Sequence, residues 1–378
     1  MHIIFITYWG INQGLTKSTV LPHIDVLARD ERVNSISLIT FERESLETIE
    51  SDQFKHIPID ESAGIRGINK FSSIRRCYQI LKSEQPNLVI ARSSLAGIAA
   101  YHYHKKTGTP YIVESFEPHT DYMIDSGEWK ANGFKTRLLN RYEKNIKKTA
   151  AFLLPVAHQY KSKLITEGVA EKKIIILPCT VDQKQFAFDE AQRNKVRNAL
   201  KIGEKSKVGI YVGKFGGLYQ KDEAFHTFES VGKQFDSFEM IILSPTDKDE
   251  IEQIALRNNY QTDHLHILSV QQHEVPAYLS AADISFATYK SFESNRYLSP
   301  IKIGEYWAAG LFVCITENVG DDSKIIETEN IGSIIEKKEN IREKLSNFKR
   351  ENAVNSAIKY RSRSLISEAY DQIFKNLN

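Results

Sequence analysis

Cysteine is scarce in this chain: Cys77, Cys179 and Cys314 are the only three in 378 residues. Odd in number, scattered and without a CxxC spacing, they exclude a disulfide framework and offer no zinc-binding set. Long apolar runs are missing as well; none approaches the ~18 residues of a membrane-crossing helix. The opening "MHIIFITYWG" reads as a strand, without the basic region or cleavage pattern of an export signal. Charge of one sign is not in excess, because 50 Lys and Arg face 48 Asp and Glu. That balance argues against a dedicated nucleic-acid binder, whose basic surplus shows in the total. The hydrophobic content of 41% is that of an ordinary globular protein. The length exceeds one comfortable core and predicts two domains. A cytoplasmic enzyme or binding protein is the expectation.

Short β-branched runs alternate with helical stretches. "IIFIT" (3–7), "SISLIT" (35–40), "NLVIA" (87–91), "YIVES" (111–115), "AFLLPV" (151–156) and "KIIILP" (173–178) read as buried strands. Between them "TVLPHIDVLAR", "SIRRCYQILKSE" and "LAGIAAYHYHKK" repeat their apolar residues every 3.6 positions. The pattern restarts with "KVGIYVG" (207–213), "FEMIILS" (238–244), "HLHILSV" (264–270), "DISFAT" (283–288) and "LFVCIT" (311–316). Such alternation predicts an α/β chain with parallel sheets covered by helices. The polar stretch "DQKQFAFDEAQRN" (182–194) reads as the linker. The last helix, amphipathic through Leu365, Ile366, Tyr370, Ile373 and Phe374, can cap either half.

Ligands of such sheets bind beyond the carboxyl ends of the strands, so the residues just after strands carry the information. "YLSPIKIGEYWAAGLFVCI" (297–315) opens a helix there. Ser299 reads as its N-cap and Pro300 as its first residue, leaving first-turn amides for an anion. Lys302 suits a diphosphate, and Glu305, one turn on, can accept two hydrogen bonds from a ribose diol. The plainer reading is a surface Lys–Glu pair. In "IYVGKFGGLYQKDE" (210–223), Gly213, Gly216 and Gly217 admit close backbone approach, and Lys214 and Lys221 can meet phosphate oxygens. Neither GxGxxG nor GxxxxGK[ST] occurs there. In the first half, "YIVESFEPHTDYMIDSG" places His119 between Glu117 and Asp121, carboxylates that can raise its pKa and fix its tautomer. Gly10 and Gly14 lie in the first strand-to-helix loop.

Other features read more plainly. Asp247-Lys248-Asp249 spells DxD, but at a helix start, where aspartate caps. His264 and His266 share a strand face without further ligands at zinc spacing. The stretch 129–148 has seven basic residues against one acidic, with Phe134, Leu138, Tyr142 and Ile146 on one side. It is either a solvated helix face or a face resting on an anionic membrane.

Taken together these stretches resemble retaining GT-B glycosyltransferases, in particular glycosyltransferase family 4. "RYEKNIKKTAAFLLPVAHQYKSKLITEGVAEKKIIILPCTVDQKQF" is similar to the family's run ending in a Pro-Asn-Gly-Val-Asp-like turn, here Pro178 to Asp182. "GIYVGKFGGLYQKDEAF" resembles its phosphate loop, "HILSVQQHEVPAYLSAADISF" the stretch before the donor helix, and "SPIKIGEYWAAGLFVCI" the donor helix. The resemblance implies two Rossmann-like domains whose parallel sheets face a central cleft. Residues 1–181 would bind the acceptor, with helix 362–378 packing back on them, and residues 182–361 a nucleotide-sugar donor. It implies neither metal nor cofactor, the nucleotide sugar being a substrate. Lys214 and Lys221 would hold the diphosphate together with the amides after Ser299, Glu305 the ribose, and residues around Val270 the base. His119 would face the transferred sugar, with Glu117 beside it, and Gly14 would lie near the donor. The acceptor would be a glycan, a lipid-linked sugar, a small molecule or a protein, in cell-surface glycan or glycoconjugate assembly. Peripheral contact at the inner membrane face through 129–148 rests on that stretch's own pattern and is the alternative to a solvated face.

The sequence departs from the family at three points. Tyr297 stands eight positions before Glu305, where the family has its first glutamate, so that role is vacant or passes to Glu293 or to backbone amides. Lys214 replaces the usual arginine and loses its bidentate fork. The gap from Lys214 to Lys221 is also long. A nucleotide-sugar epimerase and a degenerate GT-B subunit acting as a binding partner are the alternatives on this scaffold.

Overall fold

A computed structural model describes residues 1–43, 46, 48–61 and 68–377. The chain divides into two compact units, Met1–Pro178 with Arg363–Asn378, and Cys179–Ser362. Each is built on one six-stranded parallel sheet.

The first unit runs β1 (His2–Ile6), α1 (Gly14–Thr19), α2 (Leu21–Ala28), β2 (Ser35–Glu42), β3 (Lys55–Asp60), α3 (Ile68–Glu84), β4 (Leu88–Arg92), α4 (Ser93–Thr107), β5 (Tyr111–Glu114), α5 (His119–Asp125), α6 (Phe134–Thr149), β6 (Phe152–Leu154) and α7 (His158–Thr166). Its strand order is β3-β2-β1-β4-β5-β6, reversing direction between β1 and β4. Central strands carry unbroken apolar runs because both sheet faces are covered, and Ile3 to Ile6 are all at 0% exposure. β3, "KHIPID", was not expected as a strand: it is an edge with only one buried residue, so its pattern is weak. The run 173–178 makes a single bridge, Leu153 to Ile174, rather than a strand.

The second unit runs α8 (Glu190–Ala199), β7 (Lys207–Val212), α9 (Asp222–Gly232), β8 (Phe238–Leu243), α10 (Lys248–Arg257), β9 (Leu265–Leu268), α11 (Val275–Ala281), β10 (Ile284–Ala287), α12 (Ile301–Ala308), β11 (Phe312–Ile315), α13 (Asp322–Thr328), β12 (Gly332–Ile334), α14 (Ile341–Asn347) and α15 (Arg350–Arg361). The order β12-β11-β10-β7-β8-β9 reverses between β10 and β7. Residues 182–194, expected as a linker, belong to this unit's body. Phe186 is in its core and Arg193 pairs with Asp283 at 2.9 Å. Asp247 caps α10, accepting from the amides of Asp249 and Glu250 at 3.0 and 3.3 Å.

The chain then returns as α16 (Ser364–Asn376) to complete the first unit. Ile366, Tyr370, Ile373 and Phe374 enter the same core as Ile24 and Leu27 of α2. His23 Nδ1 meets the Tyr370 hydroxyl at 2.9 Å. Burial lowers the His23 pKa to about 4, so the ring is neutral in the fold. A histidine depressed below its unfolded value of about 6.5 contributes stability above that pH and loses it as the pH falls toward 4. We expect up to about 3 kcal/mol of stability to be lost over this window from His23 alone. Thermal melts of the wild type and His23→Phe across pH 4–7 check this, the variant giving the flatter profile. Among the described residues no helix is long and apolar enough to cross a membrane.

Candidate functional site

In the second unit the crevice beyond the strand ends lies where the order reverses, between β10 and β7. The loop after β7 starts at Gly213 and Lys214. Gly216 and Gly217 take left-handed φ of 86° and 64°, with open space where a side chain would stand. The Tyr211 hydroxyl donates to the Lys214 carbonyl at 2.7 Å and its ring stacks on Phe215. Residues following β10 are zipped to this loop. Gln220 N–H donates to Thr288 O at 3.1 Å, Lys290 N–H to Leu218 O at 2.9 Å, and the rings of Tyr219 and Tyr289 lie 5.0 Å apart. The two sides of the reversal therefore form one connected surface. Lys214 is exposed on it. Lys221 precedes α9 and pairs with Glu250 at 2.7 Å, an exposed ion pair of small worth that a phosphate can displace. Val270 follows β9 and packs against the core from the loop beyond that strand.

α12 follows β10 through a 3-10 turn at Glu293–Tyr297. The Val212 amide donates to the Tyr306 hydroxyl at 3.1 Å, fastening this helix to the carboxyl end of β7. Glu305, beside Tyr306, is 2% exposed and takes the Lys302 ammonium at 2.6 Å. Burial raises its pKa and Lys302 opposes the rise. The Lys–Glu pair of the plainer reading thus exists, but its carboxylate is in the interior rather than on the surface. The N-cap is different from the one expected. The helix starts at Ile301 with Pro300 as its cap, and Ser299 does not cap it. The Ser299 hydroxyl accepts instead from the Cys179 amide at 3.1 Å and from the Arg361 guanidinium. The Ile303 amide turns back to the Pro300 carbonyl at 3.3 Å, leaving those of Ile301 and Lys302 leading the helix.

Sequence reasoning passed over Arg361, the last residue of α15. It is 2% exposed and also bonds the Cys179 carbonyl at 3.1 Å, pairs with buried Asp322 and lies over the Trp307 ring. One side chain thereby joins the entry to this unit, the lead-in to α12 and the start of α13. Asn295 was missed too. It is buried, its side-chain amide donates to the Lys290 carbonyl, and its own carbonyl accepts from the Gly320 amide at 2.8 Å. Gly320 has φ of 50°, and a Cβ there would sit 1.9 Å from the Leu298 carbonyl, so only glycine fits. Tyr297, which stands in the place of the missing glutamate, is buried at 9% exposure. Glu293 sits on the exposed rim, paired with Arg296 at 3.0 Å.

In the first unit two serines end strands in left-handed backbone, Ser93 at φ 73° after β4 and Ser115 at φ 47° after β5. Strain at such positions concentrates at functional sites. Below them Arg92 pairs with Glu114, both buried, and His23 lies 3.7 Å from Glu114. Glu117 follows β5, and burial raises its pKa to about 7 against the pull of Arg92. His119 opens α5. Its amide donates to the Glu117 carbonyl at 2.8 Å and its ring sits edge-on to Trp129. Asp121, expected to act on His119, forms an ion pair with Lys163 at 3.1 Å. Gly14 is exposed at the first position of α1. At Gly10 the space a Cβ would need is filled by Glu42, whose Oε2 lies 2.5 Å away, so that glycine serves packing.

The basic segment also differs from expectation. Ile146 is fully buried and Tyr142 bonds His102 at 3.1 Å, so most of the apolar stripe of α6 faces α4. Phe134 alone of that stripe is out, at 76% exposure. His264 and His266 both meet Glu239, at 3.0 and 3.1 Å.

Residues 29–180 match the model of the Glycosyl transferase 4-like domain, and residues 192–365 that of Glycosyl transferases group 1. The chain belongs to the family 4-like glycosyltransferases. No curated protein sequence matches this transferase significantly. Its fold is that of solved GT-B structures. Sucrose-phosphate synthase from Thermosynechococcus elongatus aligns over 100% of this chain and 99% of its own, with a TM-score of 0.76 and 15% identity. HepE of Anabaena, solved in complex with UDP-glucose, aligns over the full length of both chains with a TM-score of 0.73 and 12% identity. WaaG, a glycosyltransferase involved in lipopolysaccharide biosynthesis, aligns over 98% of this transferase and 99% of its own chain, with a TM-score of 0.73 and 16% identity.

Proposed function

We propose that this transferase moves a sugar from a nucleotide diphosphate to an acceptor hydroxyl with retention at the anomeric carbon. The observation that carries the reading is Glu305, a buried carboxylate on a helix fastened to the end of β7, beside the Lys214 loop. Its role is to accept from the ribose diol. Lys302, which it holds in the free protein, turns to the diphosphate when that diol arrives. Lys214, Lys221 and the leading amides of Ile301 and Lys302 supply the remaining counter-charge to the leaving group, without a metal or cofactor. Val270 and its neighbours meet the base through their backbone. The first unit carries the acceptor, with His119 orienting a sugar hydroxyl. Glu117, poised near neutrality, takes or returns a proton. Gly14 lies toward the donor. With Tyr297 buried and Glu293 on the rim, contact with the donor sugar falls to backbone amides. HepE's complexes with UDP and UDP-glucose support a nucleotide-sugar donor, and WaaG supports an acceptor in cell-surface glycan assembly. Thermal melts with UDP, GDP, ADP and their sugars test the donor half. One of them is expected to raise the Tm, and a flat response to all would overturn the reading.

Contact with an anionic membrane belongs to the same proposal, at the inner face and narrowed to the start of α6. There Phe134 stands exposed among Lys130, Lys135 and Arg137. Phe134→Ser is expected to lower cosedimentation with phosphatidylglycerol vesicles several-fold. An unchanged bound fraction would remove membrane contact from the account.

A further inference from the structure

Four tyrosines gather where the second sheet reverses, and sugar transfer as described above uses none of their hydroxyls. Tyr211 is the penultimate residue of β7, Tyr219 lies in the loop that follows, Tyr289 comes just after β10, and Tyr306 is on α12. Tyr211, Tyr289 and Tyr306 are 3%, 6% and 1% exposed. Burial raises the pKa of all four, so each phenol keeps its proton and can donate.

Tyr306 has the most telling position. β7 and β10 run in register as far as Tyr211 and Phe286. At the end of that ladder the Tyr306 hydroxyl accepts from the Val212 amide at 3.1 Å and donates to the Phe286 carbonyl at 3.4 Å. It therefore holds one backbone group of each strand at the point where the two chains part. On its other side β7 still pairs with β8, the Gly213 amide donating to the Leu243 carbonyl at 3.0 Å. The hydroxyl thus fixes the spread of β7 from β10 at the mouth of the crevice. A phenylalanine ring fills the same space and leaves both backbone groups without this partner.

Two parts of the donor site meet in this contact. The backbone held at Val212 leads directly into Gly213 and Lys214, and the helix that carries Tyr306 carries Glu305 beside it. With Gly213, Gly216 and Gly217 the loop has little stiffness of its own, so its anchors decide where Lys214 stands. Tyr306 anchors it from the core that holds Ile210, Ile303 and Trp307. From the opposite face of the sheet, in the core with Phe225 and Phe228, Tyr211 donates to the Lys214 carbonyl at 2.7 Å.

We propose that Tyr306 is a positioning residue for the donor, its hydroxyl setting the Lys214 loop against Glu305 so that diphosphate and ribose are met together. The role rests on the nucleotide-sugar reading. The buried hydroxyl touches no substrate and acts through the backbone of β7.

Calorimetry with UDP, GDP and ADP, together with amide hydrogen exchange of the free chain, tests it on the wild type, Tyr306→Phe and Ser285→Ala. Ser285 is 0% exposed and donates to the Phe312 carbonyl at 3.4 Å, so its variant loses an interior hydroxyl from the same sheet on the β11 side. Tyr306→Phe is expected to weaken the nucleotide that the wild type binds by about tenfold. It is also expected to speed exchange over residues 212–221 at least about threefold. Ser285→Ala is expected to lower the Tm while keeping nucleotide affinity within about twofold of the wild type. Affinity of Tyr306→Phe within about twofold of the wild type, or a loss equalled by Ser285→Ala, would make Tyr306 a packing residue and overturn the proposal. So would unchanged exchange over 212–221. The donor reading fails differently: a wild type that takes up none of these nucleotides overturns it, and this role with it, whatever the exchange shows.

Discussion

Glu305→Ala is expected to cut kcat/KM by about two orders of magnitude, most of it appearing as weaker nucleotide binding. Two charge-assisted hydrogen bonds to a ribose diol are worth about 1.5–3 kcal/mol each, which sets the lower bound of that range. The substitution also releases Lys302, now 2.6 Å from the carboxylate, into an unpaired state at the head of α12. The freed lysine keeps its attraction for phosphate, so nucleoside diphosphates should lose less affinity than free nucleosides. Glu305→Gln separates geometry from charge, because it retains one acceptor oxygen in the same cavity. An intermediate loss is expected for it. Steady-state kinetics with the donor identified by thermal screening, together with calorimetry on the nucleotide alone, checks both. Activity within threefold of wild type in Glu305→Ala would remove the ribose role.

Arg361→Ala is expected to act through the fold. Arg361 and Asp322 are at 2% and 1% exposure, and loss of one partner leaves the other charge buried and alone. Breaking a buried pair in this way costs about 3–5 kcal/mol. For a unit of this size that lowers the Tm by about 6–20 °C. The Ser299 hydroxyl loses a donor in the same step, so the lead-in to α12 loosens. Donor KM should therefore rise even at temperatures where the variant is folded. Differential scanning calorimetry gives the first quantity and kinetics well below the variant's Tm the second. Arg361→Lys should recover little, because an ammonium cannot span Ser299, the Cys179 carbonyl and Asp322 at once.

The sequence made the two parallel sheets legible because central strands of such sheets are uniformly apolar and their helices are not. β3 and β12 escaped because an edge strand and a three-residue strand carry little pattern. Glu305, Lys302 and the glycines of the β7 loop were legible from their place after strands. Ser299 was read as a cap because serine before proline at a helix start usually is one. Its hydroxyl was instead claimed by Arg361, 62 positions away, and no local spacing can announce such a partner. The same holds for the Tyr306 hydroxyl on the Val212 amide, 94 positions apart. Glu143 looked like the lone acid of a basic helix face, and its burial depends on α5 arriving with Thr120.

The return of α16 to the first unit has a consequence for biosynthesis. Ile366, Tyr370, Ile373 and Phe374 leave the ribosome only after every residue of the second unit has been translated. Until then the groove beside Ile24 and Leu27 is an open greasy seam on a nascent polypeptide. The half of the enzyme that is made first is thus the half that matures last.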